Sequence, residues 1–251
     1  MAHHLGWIPD VPDQRDFVYA APRAVMKAVP KKVDLRKGCP PVYDQGDLGS
    51  CTANAIAAAI EFDQIKQKEA DRFTPSRLFI YYQERVIEHT VKEDSGAMIR
   101  DGIKSVAKTG VPPETDWPYV INKFTQRPPK KAYSDAPLGK AVQYRRVPQT
   151  LAQMRGCLAE GYPFVIGFSV YESFESDAVA KSGKAPMPAK SEKLLGGHAV
   201  LVVGYDDTAK RFLVRNSWGP GWAMGGYFTI PYDYYTDSNL ADDLWTVRLV
   251  A

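Results

Sequence analysis

The chain has 251 residues, of which 45% are hydrophobic and 24% are charged, a composition typical of a globular protein with a substantial core. Its formal net charge is only +3 and no long basic run occurs, so nucleic acid is not an expected partner. No stretch approaches the roughly 18 apolar residues of a membrane helix, so no membrane association is expected. The three cysteines, Cys39, Cys51 and Cys157, are too few for a disulfide scaffold.

Residues 1–32 form a predicted leader segment. Four prolines interrupt any regular element there: Pro9, Pro12, Pro22 and Pro30. Apolar side chains such as Trp7 and Phe17 supply anchors, so we predict an extended segment that lies on the body of the protein. The polar N-terminus has no apolar signal core, and the cellular location is left open.

Helical signals dominate residues 33–138, which we expect to form a mainly helical lobe. Ser50 is a predicted N-cap for a helix from Cys51 to about Lys68. The Ala-rich centre of this helix is apolar on nearly all faces, which predicts burial. Further helices are predicted over residues 76–89 and from about Ala97 to Lys108.

Strand signals dominate residues 139–251, the predicted β-rich lobe. The segments AVQYRRV, PFVIGFSVY, HAVLVVGY, RFLVRNS and GYFTI are rich in β-branched and aromatic residues, and the segment LAQMRGCLAEG between them is a predicted helix. Helices followed by strands predict an α+β protein with two lobes of different class. A site built from both lobes would lie in the cleft between them.

Cys51 lies where a Gly-rich loop meets the predicted buried helix. Free N–H groups and the helix dipole favour a thiolate at such a position, and a nearby imidazolium would favour it further. Taken alone, Cys51 fits a buried structural cysteine better than a nucleophile. The nucleophile hypothesis therefore depends on the other residues.

His198 is the best placed of the four histidines. His3 and His4 lie in the leader, and His89 lies at the end of a predicted helix. His198 instead follows two glycines and begins a strand, where Gly197 leaves space for a substrate to approach. A catalytic histidine also needs a partner that orients its ring.

Asn216 supplies this partner if two strands form a hairpin. The segments HAVLVVGYDD and RFLVRNSW would pair as antiparallel strands, which brings the start of the first to the end of the second. His198 and Asn216 then meet at one end of the sheet, although the register does not follow from the sequence. For acyl transfer, the backbone N–H of Cys51 and the side-chain amide of Gln45 are the expected donors to the oxyanion.

The motifs QGDLGSC, GGHAVLVVGY and NSWGPGW resemble those of the papain-like cysteine peptidases. The resemblance covers about residues 30–230. It implies a two-lobed papain-like fold with the active site in the cleft between a helical lobe and a β-barrel-like lobe. It also implies peptide-bond hydrolysis through a thioester, with polypeptide substrates and with no metal or organic cofactor.

The resemblance assigns a role to each matching residue. Cys51 would be the nucleophile, His198 its ion-pair partner, and Asn216 the residue that orients the imidazole. Gln45 would stabilise the oxyanion. A further set would contact the substrate or shield the site, namely Gly96, Gly197 and Trp218. Together with Gly167, Gly197 predicts a roomy specificity pocket.

The chain departs from the family pattern at Leu48, where the family has a disulfide-bonded cysteine, and at Thr52, where common members have tryptophan. We expect these changes to affect the covalent linkage of the loops and their packing but not the catalytic chemistry, as in a bacterial-type member that lacks the usual disulfides.

The leader is shorter and richer in proline than the usual helical pro-segment of the family. Two placements remain open for it: it covers the cleft and restrains activity, as in a zymogen, or it lies on the back of a lobe. The expected activity is that of an endopeptidase, because no added segment is recognised that would block one end of the cleft. The alternatives are an acyl or peptidyl transferase and a non-catalytic binding scaffold.

Overall fold

The computed structural model describes residues 3–250. The first two residues of the predicted leader and the last residue of the predicted β-rich lobe lie outside the described residues. Within this range the strands and helices are, in chain order, β1 (Trp7–Ile8), α1 (Arg23–Lys27), β2 (Lys32–Asp34), α2 (Cys51–Gln67), α3 (Arg77–Ile87), β3 (Ala97–Met98), α4 (Ile99–Lys108), α5 (Lys130–Asp135), β4 (Ala141–Arg146), α6 (Leu151–Ala159), β5 (Phe164–Tyr171), α7 (Asp177–Ser182), β6 (Leu194–Asp206), β7 (Arg211–Arg215), β8 (Tyr227–Pro231), α8 (Tyr232–Thr236) and β9 (Ala241–Val250).

Helix α2 runs through the centre of the molecule and is buried from Cys51 to Gln64. Its small side chains let it pack against α3 and α4 on one side and against β6 and β9 on the other. The helix ends at Gln67, and the C-cap residue Lys68 adopts a left-handed conformation. Ser50 precedes the helix as predicted, but its side chain makes no capping bond and instead contacts the Tyr119 hydroxyl at 2.6 Å.

Six strands from the second half of the chain form a seven-stranded sheet together with β2. Its strands follow the order β4–β9–β5–β6–β7–β8, and β2 pairs with β6 as a branch. Strands β6 and β7 form the predicted hairpin, with Tyr205 opposite Phe212 and Leu201 opposite Arg215. Strand β9 is not among the predicted strands, because its polar beginning, Asp242-Asp243, hides the alternation that follows.

The leader joins the fold at several points. Strand β1 pairs in parallel with β3, with Trp7 opposite Ala97. This pairing corrects the predicted start of the third helix, because Ala97 and Met98 are extended and α4 begins at Ile99. The prediction of a wholly extended leader is also wrong. Residues 23–27 form the short helix α1, which packs on α6.

A buried ion pair fixes the middle of the leader. Arg100 on α4 contacts Asp16 at 2.5 Å, and each of these side chains is 5% exposed. Farther along, the Tyr19 hydroxyl donates to Glu160 at 2.7 Å. The leader is therefore attached along much of its length to both the helices and the sheet.

No helix within residues 3–250 has the length and apolar character needed to cross a membrane.

Candidate active site

Cys51, His198 and Asn216 come together where the N-terminus of α2 meets the sheet. Cys51 is the first residue of α2, His198 lies on β6, and Asn216 follows β7. The His198 Nε2 atom lies 2.8 Å from the Asn216 Oδ1 atom. The backbone N–H of Ala199, the neighbour of His198, donates to the Cys51 sulfur at 3.4 Å. The hairpin register thus brings the three predicted residues to one place.

Aromatic rings cover the bond between His198 and Asn216. Trp218 stacks on the His198 ring with centroids 4.8 Å apart, and Trp222 meets Trp218 edge-on at 5.0 Å. Phe168 contacts the other side of the imidazole at 5.8 Å. Exclusion of water by these rings strengthens the His198–Asn216 hydrogen bond.

The side chain of Gln45 is buried and held at both ends of its amide. Its Oε1 atom accepts a hydrogen bond from the Ser217 hydroxyl at 2.7 Å. Its Nε2 atom donates to the carbonyls of Leu48 and His4, each at 3.0 Å. Because the Ser217 contact orients the amide, the N–H group points toward the leader. Sequence reasoning missed Ser217, although it follows Asn216 in the NSW motif.

The leader crosses the active site as an extended chain. The carbonyl of Gly6 accepts a hydrogen bond from the backbone N–H of Ala97 at 2.8 Å. A Cβ atom added to Gly6 would lie 1.9 Å from the Gly49 carbonyl oxygen, and one added to Gly96 would lie 2.2 Å from the Gly6 oxygen. Two glycines therefore permit this close backbone approach. Predicted site residue Gly96 does contact an extended chain, and that chain is the leader.

On the other side of Cys51, His3 lies flat on Trp218. The ring centroids are 3.7 Å apart with an interplanar angle of 3°. The His3 Nδ1 atom also lies 2.8 Å from Glu175. Two placements of the leader were left open in the sequence analysis. Residues 3–8 lie in the cleft beside Cys51 and not on the back of a lobe.

The pocket bounded by Gly167 and Gly197 is filled by the indole of Trp7. A Cβ atom on Gly167 would lie 2.0 Å from the ring, and one on Gly197 would lie 2.8 Å from it. The indole N–H donates to Asp243 Oδ2 at 3.0 Å. The sequence pattern marks Trp7 only as an apolar anchor and gives no signal for Asp243.

Burial shifts Cys51 and His198 toward their neutral forms. Desolvation raises the pKa of Cys51 to about 12, and the N–H groups of Ala199 and Gly6 offset only part of this effect. Desolvation likewise lowers the pKa of His198 to about 4, against the opposing hydrogen bond to Asn216. Both shifts oppose a thiolate–imidazolium pair in the covered site.

Hydrogen bonds through Asp94 connect the loop before Cys51 with the loop that carries Gly96. The Asp94 carboxylate accepts from the Gly49 N–H at 3.0 Å and from the Tyr81 hydroxyl at 2.5 Å. The Gly96 N–H in turn donates to the Tyr81 oxygen at 3.2 Å. These contacts link the two loops without a disulfide, in agreement with the three free cysteines of the described chain.

Both departures from the motif are accommodated by packing. Leu48 is 1% exposed and belongs to the core. Thr52 is fully buried and donates to the Glu84 carboxylate at 2.9 Å. Neither side chain takes part in the contact of Cys51 with Ala199 or in that of Gln45 with Ser217.

Within residues 3–250 no group of three or more His, Cys, Asp or Glu side chains is arranged to hold a metal ion.

Comparison with known proteins agrees with this arrangement. The family model described as papain family cysteine protease matches residues 29–247. An uncharacterised peptidase C1-like protein of Acanthamoeba polyphaga mimivirus is 43% identical, over all of this chain and 88% of the viral protein. Cysteine proteinase 1 of Entamoeba histolytica is 28% identical, over 86% of this chain and 68% of the relative.

Among solved structures, this chain is similar to xylellain, a cysteine protease from Xylella fastidiosa. The two share 47% identity with a TM-score of 0.94, over 99% of this chain and 97% of xylellain. The structure of digestive procathepsin L 3 of Tenebrio molitor has the same fold, with a TM-score of 0.73 at 20% identity, over 93% of this chain and 74% of that one.

The predicted α+β fold, with a helical lobe and a sheet lobe, and the predicted peptidase activity are therefore confirmed. The chain belongs to the papain family of cysteine proteases and is a cysteine peptidase that acts on polypeptides.

Proposed function

We propose that this protein is an endopeptidase that uses Cys51 as its nucleophile and is kept latent by its own leader, residues 1–32. The observation that carries the proposal is the path of the leader backbone. Its carbonyls accept hydrogen bonds from Gln45 and Ala97 on either side of Cys51. These are the donors that an extended peptide substrate would need.

The proposed reaction begins with attack of the Cys51 thiolate on the substrate carbonyl. The side-chain N–H of Gln45, with the backbone N–H of Cys51, stabilises the oxyanion that develops. His198 then gives a proton to the leaving amine, and the carbon–nitrogen bond breaks to leave a thioester. Water attacks the thioester, the acyl product leaves, and the thiolate is regenerated.

The contact with Asn216 decides which nitrogen of His198 carries this proton. Nε2 is engaged with the Asn216 oxygen and is therefore protonated in the neutral ring. Nδ1 has no hydrogen-bond partner in the described chain, which leaves it available to exchange a proton with the thiol and the leaving amine. Asn216 thus positions the ring and selects its tautomer.

Latency in this proposal has a steric and an electrostatic part. The leader occupies the space of a substrate, and it removes water from Cys51 and His198. Because desolvation disfavours both charged forms, the thiolate–imidazolium pair forms only after the leader moves away. The directions of the two pKa shifts, upward for Cys51 and downward for His198, support this part of the proposal.

The endopeptidase assignment is supported by the extent of the groove. The leader makes contacts on the Trp218 side through His3 and on the opposite side through Trp7. A continuous extended chain therefore fits across the nucleophile in both directions, as the interior of a polypeptide substrate must.

The test is alkylation of the thiols with iodoacetamide, followed by mass mapping of each cysteine. We expect Cys51 to react slowly in the full chain, and fast and with a pH dependence after deletion of residues 1–30. The substitution His198→Ala should abolish the fast phase, while Cys39 and Cys157 serve as internal controls. Equal, slow labelling of all three cysteines in the deletion variant would refute an activated thiolate.

A further inference from the structure

The loop from Gln45 to Ser50 carries the proposed side-chain donor to the oxyanion and leads directly into Cys51. Hydroxyl groups hold both of its ends. The Tyr119 hydroxyl donates to the Gln45 carbonyl at 2.9 Å and contacts the Ser50 hydroxyl at 2.6 Å. The Ser217 hydroxyl donates to the Gln45 side chain at 2.7 Å. The middle of the loop is held by a different group.

The peptide unit between Leu48 and Gly49 is the part of this loop that holds the Gln45 amide. The Leu48 carbonyl accepts from the Gln45 Nε2 atom at 3.0 Å and from the Ser50 N–H at 2.7 Å. Because a trans peptide unit is planar, its N–H and its C=O point in opposite directions. The direction of the Gly49 N–H therefore determines whether the Leu48 carbonyl faces Gln45.

The carboxylate of Asp94 holds the Gly49 N–H. Both of its oxygens lie 3.0 Å from the Gly49 nitrogen. Asp94 is itself anchored to helix α3, because the hydroxyl of the fully buried Tyr81 donates to its Oδ1 atom at 2.5 Å. A chain of hydrogen bonds thus runs from α3 through Asp94 and the Leu48–Gly49 peptide to the side chain of Gln45.

The glycine at position 49 gives this carboxylate its importance. Glycine adopts positive and negative φ about equally readily, so the backbone itself does little to prevent rotation of the Leu48–Gly49 peptide. After such a rotation the Leu48 carbonyl oxygen would face the Asp94 carboxylate, and the two negative groups would repel each other. Asp94 therefore favours the observed orientation by the bond that it accepts and disfavours the other by repulsion.

We propose that Asp94 is a positioning residue for catalysis, which holds the Leu48–Gly49 peptide in the orientation that lets Gln45 donate to the oxyanion. The inference rests on the proposed function, in which Gln45 has that role. Asp94 acts through the peptide and through Gln45 rather than on the substrate. Its support lies beside Leu48, where the family pattern has a disulfide-bonded cysteine, so a charge-assisted hydrogen bond supports this loop instead.

Asp94 also contacts the leader, and the test has to separate the two roles. The His4 Nδ1 atom lies 3.7 Å from Asp94 Oδ2, so loss of the carboxylate also loosens the leader. In the proposed function the leader competes with the substrate for the cleft, and saturating substrate displaces a competitor. A looser leader therefore lowers KM and leaves kcat unchanged, whereas a misplaced oxyanion donor lowers kcat.

The first test is a double-mutant cycle between Asp94 and Gln45 in the full-chain Trp7→Ala variant, whose cleft is expected to be open. Asp94→Ala should lower kcat about 10- to 100-fold, the range of a hydrogen bond to a charged group. Glu93→Ala, which removes the exposed neighbouring acid, is the matched control. In Gln45→Ala no amide is left to position, so Asp94→Ala should change kcat less than about twofold there. Additive losses, or an unchanged kcat in Asp94→Ala alone, would overturn the proposal.

Two further measurements separate positioning from damage to the fold. Alkylation of Cys51 by iodoacetamide is a displacement at a saturated carbon, so no oxyanion develops. Its rate should not fall in Asp94→Ala, and a fall parallel to that of kcat would show general damage and refute the positioning role. Asp94→Asn keeps an amide oxygen that accepts from the Gly49 N–H, and it should recover part of kcat. A kcat as low as that of Asp94→Ala would argue against this hydrogen bond.

The last test does not need catalysis. In the full chain with Cys51→Ser, NMR measures how fast the side-chain amide protons of Gln45 exchange with water. Asp94→Ala should accelerate this exchange about 10-fold, whereas the control His4→Ala, which loosens the leader but leaves Asp94 in place, should not. Equal exchange in the two variants would refute the role of Asp94 even in an active enzyme. Selective acceleration, in a chain whose Trp7→Ala variant has no peptidase activity, would instead preserve the coupling and refute the proposed function.

Discussion

Trp7 is the residue whose loss should most directly release the leader. Its side chain is 9% exposed, and burial of an indole removes about 150–250 Å² from water, worth about 4–6 kcal/mol at about 25 cal/mol per Å². Because the displaced leader retains some contacts, the realistic loss on Trp7→Ala is closer to about 3 kcal/mol. The open fraction should then rise about 100-fold, since 1.4 kcal/mol corresponds to a factor of ten.

The assay measures kcat/KM on a fluorogenic peptide and, separately, the rate of Cys51 alkylation. Both should rise by the same factor in Trp7→Ala, because both report the fraction of molecules with an open cleft. Trp7→Phe, which keeps a ring but loses the N–H bond to Asp243, should give an intermediate increase. Val18→Ala is the matched control, since Val18 lies in the same leader and is 64% exposed. If Trp7→Ala and Val18→Ala behave alike, the leader does not restrain the site through this residue.

Two further outcomes are expected. Burial raises the pKa of Asp243 to about 7, helped by Asp10, whose own pKa is raised by burial. A raised pKa in the docked state means that docking is strongest below the ordinary carboxyl pKa of about 4. Docking then weakens as the pH rises toward about 7. When the leader is displaced, a proton moves from Cys51 to His198, but the number of protons bound by the two residues stays the same. This transfer therefore adds no pH dependence to docking in this range. Limited proteolysis of the leader in Cys51→Ser should therefore accelerate from pH 5 to pH 8. A proteolysis rate that does not change with pH would contradict a raised pKa of Asp243 in the docked state. Gln45→Ala should lower kcat about 100- to 1,000-fold, measured with the leader deleted, whereas a fall in kcat of less than about threefold would exclude the oxyanion role.

Helices α2, α3, α4 and α6 and strands β4 to β8 followed from local patterns in the sequence, and the proposed catalytic roles of Cys51, His198 and Asn216 followed from the family resemblance. The Ala-rich run after Cys51 predicted a buried helix, and the two Val-rich segments around residues 198–216 predicted a hairpin. What the pattern left undetermined was the register, which depends on long-range packing. The contact between His198 and Asn216 could therefore be expected, but the strand positions that bring the two side chains together could not be predicted.

The leader contacts could not be predicted for the same reason. Trp7 and Asp243 are far apart in the sequence, and their meeting depends on a bulge in β9 that no local signal marks. Ala97 and Met98 have the pattern of a helix start, yet pairing with the leader makes them extended. Ser50 has the chemistry of an N-cap, but its hydroxyl finds Tyr119 instead. In each case a tertiary contact outweighed a local preference.

The covalent attachment of the leader has a consequence for inhibitor discovery. A compound that binds the cleft must compete with the leader, which is part of the same chain. The leader is held there by hydrogen bonds from Gln45 and Ala97 and by the pocket that binds the indole of Trp7. Its apparent affinity for the full chain is lower than its intrinsic affinity by the open fraction. If about one molecule in 100 is open, a ligand with nanomolar intrinsic affinity would register near 100 nM. Screens on the full chain would therefore rank compounds correctly but underestimate their potency by one common factor, and the ratio of potencies on full and truncated chains would measure the open fraction directly.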